Sequence, residues 1–354
     1  MNSSHKIVIY GAYGYTGKLI LEEAIRKGYR PTIAGRNPKK TGELAKKYDL
    51  EYAVFSIEQH QELKKVLTDA LMIINCAGPF VYTAEKIISA CLATQTHYLD
   101  ITGEWQVFEW IRKQDEAARK ANIMLLPGTG FDVVPSDCLA SYAKSHMEDA
   151  THLEMGFIGV GQMSRGTAST MVENLDSGGM IRQDGILKEV ENAQYSRVKY
   201  IQGKARNFAS IPWGDISTAW FSTGIPNIVV YTGMPPRRMS MLKLINKLKW
   251  LFRKSLIKSF LKRYIDKNVE GPDQLTRKTE KSHLWAEVRN KDGKFFEANL
   301  ITPESYYLSA ITTVLVAEKI LLGQWKAGFQ TPSTVYGSDL IMEVEGVERS
   351  IVSN

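Results

Sequence analysis

The chain has 354 residues, 44% of them hydrophobic, and a formal net charge of +7. That length exceeds one small core and fits two domains. The charge does not mark a nucleic-acid binder, because it is local: residues 237–267 carry eleven Lys or Arg against Asp266 alone, a net +10, which leaves the other 323 residues at −3.

Three cysteines, Cys76, Cys91 and Cys138, and six histidines show no metal-ligand spacing, so no metal is expected. The sparse, odd cysteine set points to a reducing cytoplasm. The first apolar run is too short for a secretory signal. The longest apolar candidate, Tyr306 to Ala317, is interrupted by Glu318 and Lys319 and falls short of a membrane span.

In chain order, the β-branched run Lys6 to Tyr10 ends in Gly11-Ala12-Tyr13-Gly14-Tyr15-Thr16-Gly17, and a helical stretch follows from Lys18 to Lys27. Strand, glycine turn and helix start in this order form a dinucleotide-binding unit. Gly11 permits the turn, Gly14 admits a pyrophosphate close to backbone, and Gly17 allows the helix to pack on the strand. The phosphates then meet the free N–H groups of a helix N-terminus. A second strand, Pro31 to Ala34, runs into Gly35-Arg36-Asn37-Pro38-Lys39-Lys40, with no Asp or Glu from Arg30 to Gly42. An NAD site wants an acid here for the ribose hydroxyls, whereas an NADP site wants cations for the 2′-phosphate. Arg36 supplies a planar fork and Lys39 or Lys40 a point charge, so NADP(H) is the expected cofactor. Asn37, with Pro38 behind it, also suits a helix cap.

The alternation continues through predicted strands at Glu51–Phe55, Leu71–Cys76, His97–Asp100 and Ile123–Leu126. Helices are predicted between them at Pro38–Lys47, Glu58–Leu67, Ala84–Thr94 and Glu104–Asn122. Six strands in this arrangement predict an α/β fold with a doubly wound parallel Rossmann sheet. Past a helix near Pro135 the pattern turns β-rich. An inserted, mainly β (α+β) second domain is therefore expected at 137–301, with the Rossmann domain at 1–136 completed by 302–354.

Ligands of open α/β sheets gather beyond the C-terminal strand ends. After the fourth strand, Cys76-Ala77-Gly78-Pro79-Phe80 is a small turn that brings backbone to the nicotinamide ribose. After the fifth, Tyr98, Asp100 and Glu104 are candidate proton donors, although acids at such ends also cap helices. In the second domain Arg165, within Ser164-Arg165-Gly166-Thr167, fits an anionic substrate group or a domain-interface salt bridge equally well. No Tyr-x-x-x-Lys pair lies at the spacing that a short-chain dehydrogenase needs, which excludes that class.

From Met239 to Ile265, the apolar positions Met241, Ile245, Leu248, Phe252, Leu256, Phe260 and Tyr264 recur every three or four residues, with Lys243, Lys247, Lys254, Lys258 and Lys262 on another face. An amphipathic helix with a break near Ser255 is expected, in contact with an anionic membrane surface or with a second copy in a homodimer.

Six stretches, Gly11–Gly17, Ala34–Asn37, Cys76–Phe80, His97–Glu104, Gly130–Asp137 and Ser164–Thr167, together resemble the saccharopine dehydrogenase-like reductases, and most the branch of trans-acting enoyl reductases and membrane-associated oxidoreductases. The resemblance covers most of the first 170 residues. It implies a Rossmann domain with an inserted sheet domain, NADP(H) dependence, and reduction of an unsaturated or imine-like small molecule. The expected protein is thus an NADPH-dependent reductase of a hydrophobic, enoyl- or lipid-like substrate, cytoplasmic or peripheral on the inner face of a membrane. A saccharopine-type amino-acid or polyamine dehydrogenase and a non-catalytic NADPH-binding regulator are the alternatives.

Overall fold

In the computed structural model, residues 6–159, 163–173, 178–247 and 255–352 are described. The chain forms two compact units, Met1–Val134 with Tyr306–Val335, and Pro135–Ser305 with Tyr336–Asn354.

The first unit is built on seven parallel strands: β1 (Lys6–Tyr10), β2 (Thr32–Gly35), β3 (Tyr52–Val54), β4 (Ala70–Asn75), β5 (His97–Asp100), β6 (Met124–Leu126) and a short β15 (Gly328–Phe329). Their spatial order is β15-β6-β5-β4-β1-β2-β3, and each neighbouring pair is parallel. The order reverses between β1 and β4, which makes the crevice beyond their C-terminal ends the switch point of a doubly wound sheet. Central strands are apolar throughout because both faces are covered: Val8, Ile9, Ile33, Met72, Ile73, Leu99, Leu125 and Leu126 have no exposed surface. β3 is one edge, and Tyr52 and Val54 stand exposed there. The single helix expected over Glu104–Asn122 is two, Trp105–Arg112 and Asp115–Lys120. They part where the N–H groups of Lys113 and Gln114 fall back on carbonyls three residues earlier. A helix at Ser305–Leu321 completes this unit, with Thr312 Oγ1 donating to the Thr129 carbonyl and Ser309 Oγ accepting from Phe131 N–H.

The second unit holds a nine-stranded mixed sheet: β7 (His152–Ile158), β8 (Gly179–Gln183), β9 (Ile186–Val190), β10 (Ser196–Ile201), β11 (Lys204–Ser210), β12 (Asn227–Gly233), β13 (Lys281–Arg289), β14 (Phe295–Pro303) and β16 (Glu348–Ile351). Among the described pairs only β7 and β12 run parallel, and the main path is β10-β11-β12-β7-β13-β14-β16. Phe208, Tyr231 and Trp285 form an aromatic cluster on one face. Lys199 on β10 lies 4.5 Å from the Trp285 ring centroid and bonds Glu287 and Glu297 at 2.9 and 2.8 Å. Those partners sit on β13 and β14, so the β10–β11 hairpin folds back across the sheet.

One boundary differs from the expected division. Residues 336–354, expected with the Rossmann domain, fall in the second unit because β16 pairs antiparallel with β14 and Arg349 lies 3.6 Å from the Tyr142 ring centroid. The C-terminal edge strand had too few apolar residues to mark it. Among the described residues no helix is long and apolar enough to cross a membrane, and no cluster of side chains fits a metal ion.

Candidate cofactor and active site

The glycine turn joins β1 to a helix at Tyr15–Arg26. Gly11 has φ +82°, a conformation that a side chain disfavours, and its N–H donates to the Ala34 carbonyl. Gly14 caps the helix in extended backbone without a side-chain bond, and no acid occupies the first turn. The backbone N–H groups of that first turn, at Tyr15, Thr16 and Gly17, are therefore placed to donate to an anion, and the helix dipole adds to them. A Cβ on Gly17 would lie 2.5 Å from the Gly11 carbonyl oxygen, and one on Gly11 would lie 3.1 Å from Ala77 N. The phosphate turn is thus packed directly on the turn that follows β4.

At the end of β2, a Cβ on Gly35 would lie 2.5 Å from Tyr13 Cε1, so only glycine lets the Tyr13 ring rest there. Lys40 Nζ lies 5.9 Å from that ring centroid, and Arg36, next after Gly35 in the chain, is exposed. The Tyr13 ring and Lys40 thus meet beyond the end of β2, where Arg36 also stands exposed. Asn37 is committed elsewhere: its Oδ1 accepts from Lys40 N–H at 2.9 Å and caps the helix Pro38–Tyr48.

The turn after β4 is held from three sides. Asn75, fully buried, accepts from Ala77 N–H and donates to Thr83 Oγ1 and to the Tyr98 hydroxyl, while Thr83 donates to the Ala77 carbonyl. The Gly78–Pro79 peptide is cis. Beyond it, Glu104 accepts from Phe80 N–H at 2.8 Å and from Val81 N–H at 3.0 Å. Cys76 is half-buried, and burial pushes its thiol well up, which disfavours the thiolate.

Tyr98 and Asp100, expected as proton donors, occupy a different place. Both are without exposed surface. The Tyr98 hydroxyl donates to Asp100 Oδ2 at 2.7 Å, and Asp100 Oδ1 accepts from Thr102 N–H at 3.0 Å and Gly128 N–H at 2.8 Å. This carboxyl ties the end of β5 to the turn after β6 and has no surface to offer a ligand. Burial raises it to about 6 despite those bonds. Arg165, the remaining candidate, lies in the second unit at the start of the helix Arg165–Glu173, where its Nε donates to the Val269 carbonyl at 2.6 Å.

Sequence reasoning did not single out Asp132. It follows β6 in Gly130-Phe131-Asp132, is half-buried, and places its carboxyl against the turn after β5: a Cβ on Gly103 would lie 2.8 Å from Asp132 Oδ2. Burial, with the neighbouring Glu104 carboxylate second, pushes it up to about 7. The only trace in the sequence is an acid just past a strand end, beside a glycine in another segment that makes room for it.

Residues 7–126 match the family model described as the saccharopine dehydrogenase NADP binding domain. The match covers the Rossmann unit, 120 of the 354 residues. NADP(H) is the cofactor of this unit, in agreement with the cations and the missing acid beyond β2. The human saccharopine dehydrogenase-like oxidoreductase is 27% identical over 161 residues, 40% of this chain and 38% of that protein. A Mycobacterium tuberculosis protein described as a candidate trans-acting enoyl reductase is 30% identical over 190 residues, 48% of this chain and 44% of that protein. The matched stretches thus span less than half the length of these relatives. Apo saccharopine dehydrogenase (L-Glu forming) from Saccharomyces cerevisiae shares the fold over 99% of this chain and 100% of its own, with a TM-score of 0.66 at 13% identity.

In this unit the helix N-terminus at Tyr15–Gly17 would meet the pyrophosphate of NADP(H), Arg36 and Lys40 would meet its 2′-phosphate, and the backbone of Cys76–Phe80 would face its nicotinamide end.

Proposed function

We propose that the protein is an NADPH-dependent reductase of a hydrophobic, enoyl- or lipid-like small molecule. The observation that carries the reading is the pairing of a helix N-terminus after Gly14, with no side-chain cap and no acid in its first turn, with a β2 end that bears Arg36 and Lys40 and no acid. The mycobacterial relative's description supports the enoyl substrate, and the human relative's name supports oxidoreduction.

Bound NADPH supplies a hydride to the substrate. A proton must reach the other carbon of a reduced enoyl bond, and Asp132 is the donor in this reading. Its raised pKa keeps much of it protonated near neutral pH, and it is only half-buried where Tyr98 and Asp100 are sealed. Glu104 is a positioning residue that fixes the Phe80–Val81 backbone and, by its charge, adds to the effect of burial in keeping Asp132 protonated. Arg165 is set aside as a substrate anchor, since its guanidinium is bonded within its own unit. The basic stretch 237–267 supports a peripheral setting on the cytoplasmic face of a membrane, with a second copy of the chain as the competing occupant.

The test is NADPH oxidation against enoyl, imine and keto compounds of short and long chain. Turnover of long-chain enoyl compounds is expected. Turnover of amino-acid imines alone would favour a saccharopine-type dehydrogenase, and no turnover of any would favour a regulator. Arg36→Ala should weaken NADPH by about 1.5 to 3 kcal/mol and leave NADH nearly unchanged. Asp132→Asn should lower kcat while leaving NADPH affinity within about twofold. In the wild type, kcat should fall as pH rises through about 7, where the donor loses its proton. A flat profile, or an Asp132→Asn enzyme with wild-type kcat, would remove Asp132 from that role.

A further inference from the structure

The helix Ser255–Asn268 has two faces that the sequence alone runs together. Its partners define the inward one: Leu261 and Ile265 pack with Ala168, Val172 and Val269, while Lys258 and Lys262 both reach Glu173. These four positions, Lys258, Leu261, Lys262 and Ile265, are spaced i, i+3, i+4, i+7 along one side of the helix. Arg165, at the opposite end of the neighbouring helix Arg165–Glu173, bonds the Val269 carbonyl, so the two helices are strapped at both ends. This corrects the expected lysine face, since Lys258 and Lys262 pair with Glu173 instead of facing outward. Leu248 and Phe252 lie outside the described residues, as does the side chain of Leu256.

The outward face is Phe260, Arg263, Tyr264 and Lys267, with the same helical spacing and all four exposed, Phe260 at 69% and Tyr264 at 61%. The helix Pro236–Lys247 repeats the pattern, with Arg237, Met241 and Leu244 exposed on one side and Arg238, Lys243 and Lys247 exposed around them. Large apolar groups left in water cost free energy unless something covers them, and here each is flanked by cations.

We propose that the face Phe260–Arg263–Tyr264–Lys267 docks on an anionic lipid bilayer, its two rings entering the headgroup boundary and its two cations meeting lipid phosphates. The proposal deepens the peripheral setting of the proposed function and rests on it only for location. Charge complementarity selects the occupant: Arg263 and Lys267 on this face, with Arg237, Arg238, Lys243 and Lys247 exposed on the helix Pro236–Lys247, oppose a second copy of the same surface and favour a negative one.

The test is co-sedimentation of the full chain with vesicles of phosphatidylcholine alone and with about a third phosphatidylserine, in low and high salt. Binding is expected only to the anionic vesicles and should weaken sharply with salt. Arg263→Gln with Lys267→Gln should weaken it about 25-fold, at about fivefold per cation, and Phe260→Glu with Tyr264→Glu should abolish it. Lys291→Gln with Lys294→Gln, which removes the same charge from an exposed turn, should change it little. NADPH titration of each variant shows that the first unit is intact, and failure of the reductase assay would leave this binding result standing. No binding to anionic vesicles, equal loss in the Lys291/Lys294 control, or conversion of a wild-type dimer to monomer by Phe260→Glu with Tyr264→Glu would overturn the proposal.

Discussion

Replacing Asp100 by Asn separates the cost of burying a charge from the value of its hydrogen bonds. Asp100 has no exposed surface, and its carboxyl is raised from an ordinary 3.8 to about 6. The folded state therefore holds the proton more tightly than the unfolded chain. The sign follows: stability is highest while Asp100 is protonated, falls as pH rises from about 4 through 6, and is lower by about 3 kcal/mol above that window. An amide carries no such dependence. Its oxygen can keep the Thr102 and Gly128 N–H bonds, but its NH2 group faces the Tyr98 hydroxyl, which already receives Asn75 Nδ2. That mismatch costs about 1 to 3 kcal/mol at every pH. Asp100→Asn should thus be less stable than wild type near pH 4 and should gain about 3 kcal/mol on it by pH 8, ending near parity or slightly ahead. Urea unfolding at several pH values measures this, following the transition that NADPH shifts, since ligand stabilises the unit that binds it. A difference that does not change with pH, or one that grows against the variant as pH rises, would refute the reasoning.

Two further substitutions test the site's frame. Gly35→Ala brings a Cβ to 2.5 Å from Tyr13 Cε1 and must displace that ring, so NADPH affinity should fall about 5- to 150-fold, the equivalent of an overpacking cost of about 1 to 3 kcal/mol. Fluorescence titration checks this, and unchanged affinity would show that Tyr13 does not frame the cofactor. Glu104→Gln leaves one of the Phe80 and Val81 N–H groups facing an NH2 group, which should cost about 1 to 3 kcal/mol and raise KM for NADPH. A wild-type melting temperature and KM would show that the turn does not depend on Glu104.

The Rossmann sheet was legible because parallel strands covered on both faces read as unbroken apolar runs, bounded here by glycines and small polar turns. β15 was not, because two residues, Gly328 and Phe329, are too short to carry a pattern. The cofactor end was legible for a related reason: Gly11, Gly14, Gly17 and Arg36 act through local backbone and charge, which the sequence spells in order. The proton donor was not. Tyr98, Asp100, Glu104 and Asp132 all lie at or just past strand ends, and what separates them is which groups from distant segments reach them. Asp100 meets Gly128, 28 positions away, and Glu104 meets Phe80, 24 positions away. No local spacing encodes such contacts.

The basic segment shows the same limit at the level of a helix. Hydrophobic periodicity finds that residues three and four apart share a side, but it does not say which side faces the protein when two stripes both contain apolar groups. Leu261 with Ile265 and Phe260 with Tyr264 are offset by a single position, and either stripe satisfies the pattern. Glu173 decides between them, because a carboxylate on the neighbouring helix draws Lys258 and Lys262 inward together with the aliphatic pair. The aromatic pair is then left in water with Arg263 and Lys267. Neutralising Glu173 by Glu173→Gln should therefore loosen the strap between these two helices while leaving the outward cations unchanged. Faster amide exchange across Ser255–Asn268, with NADPH binding unaltered, is the expected result, and unchanged exchange would show that the aliphatic contacts alone fix the helix's orientation.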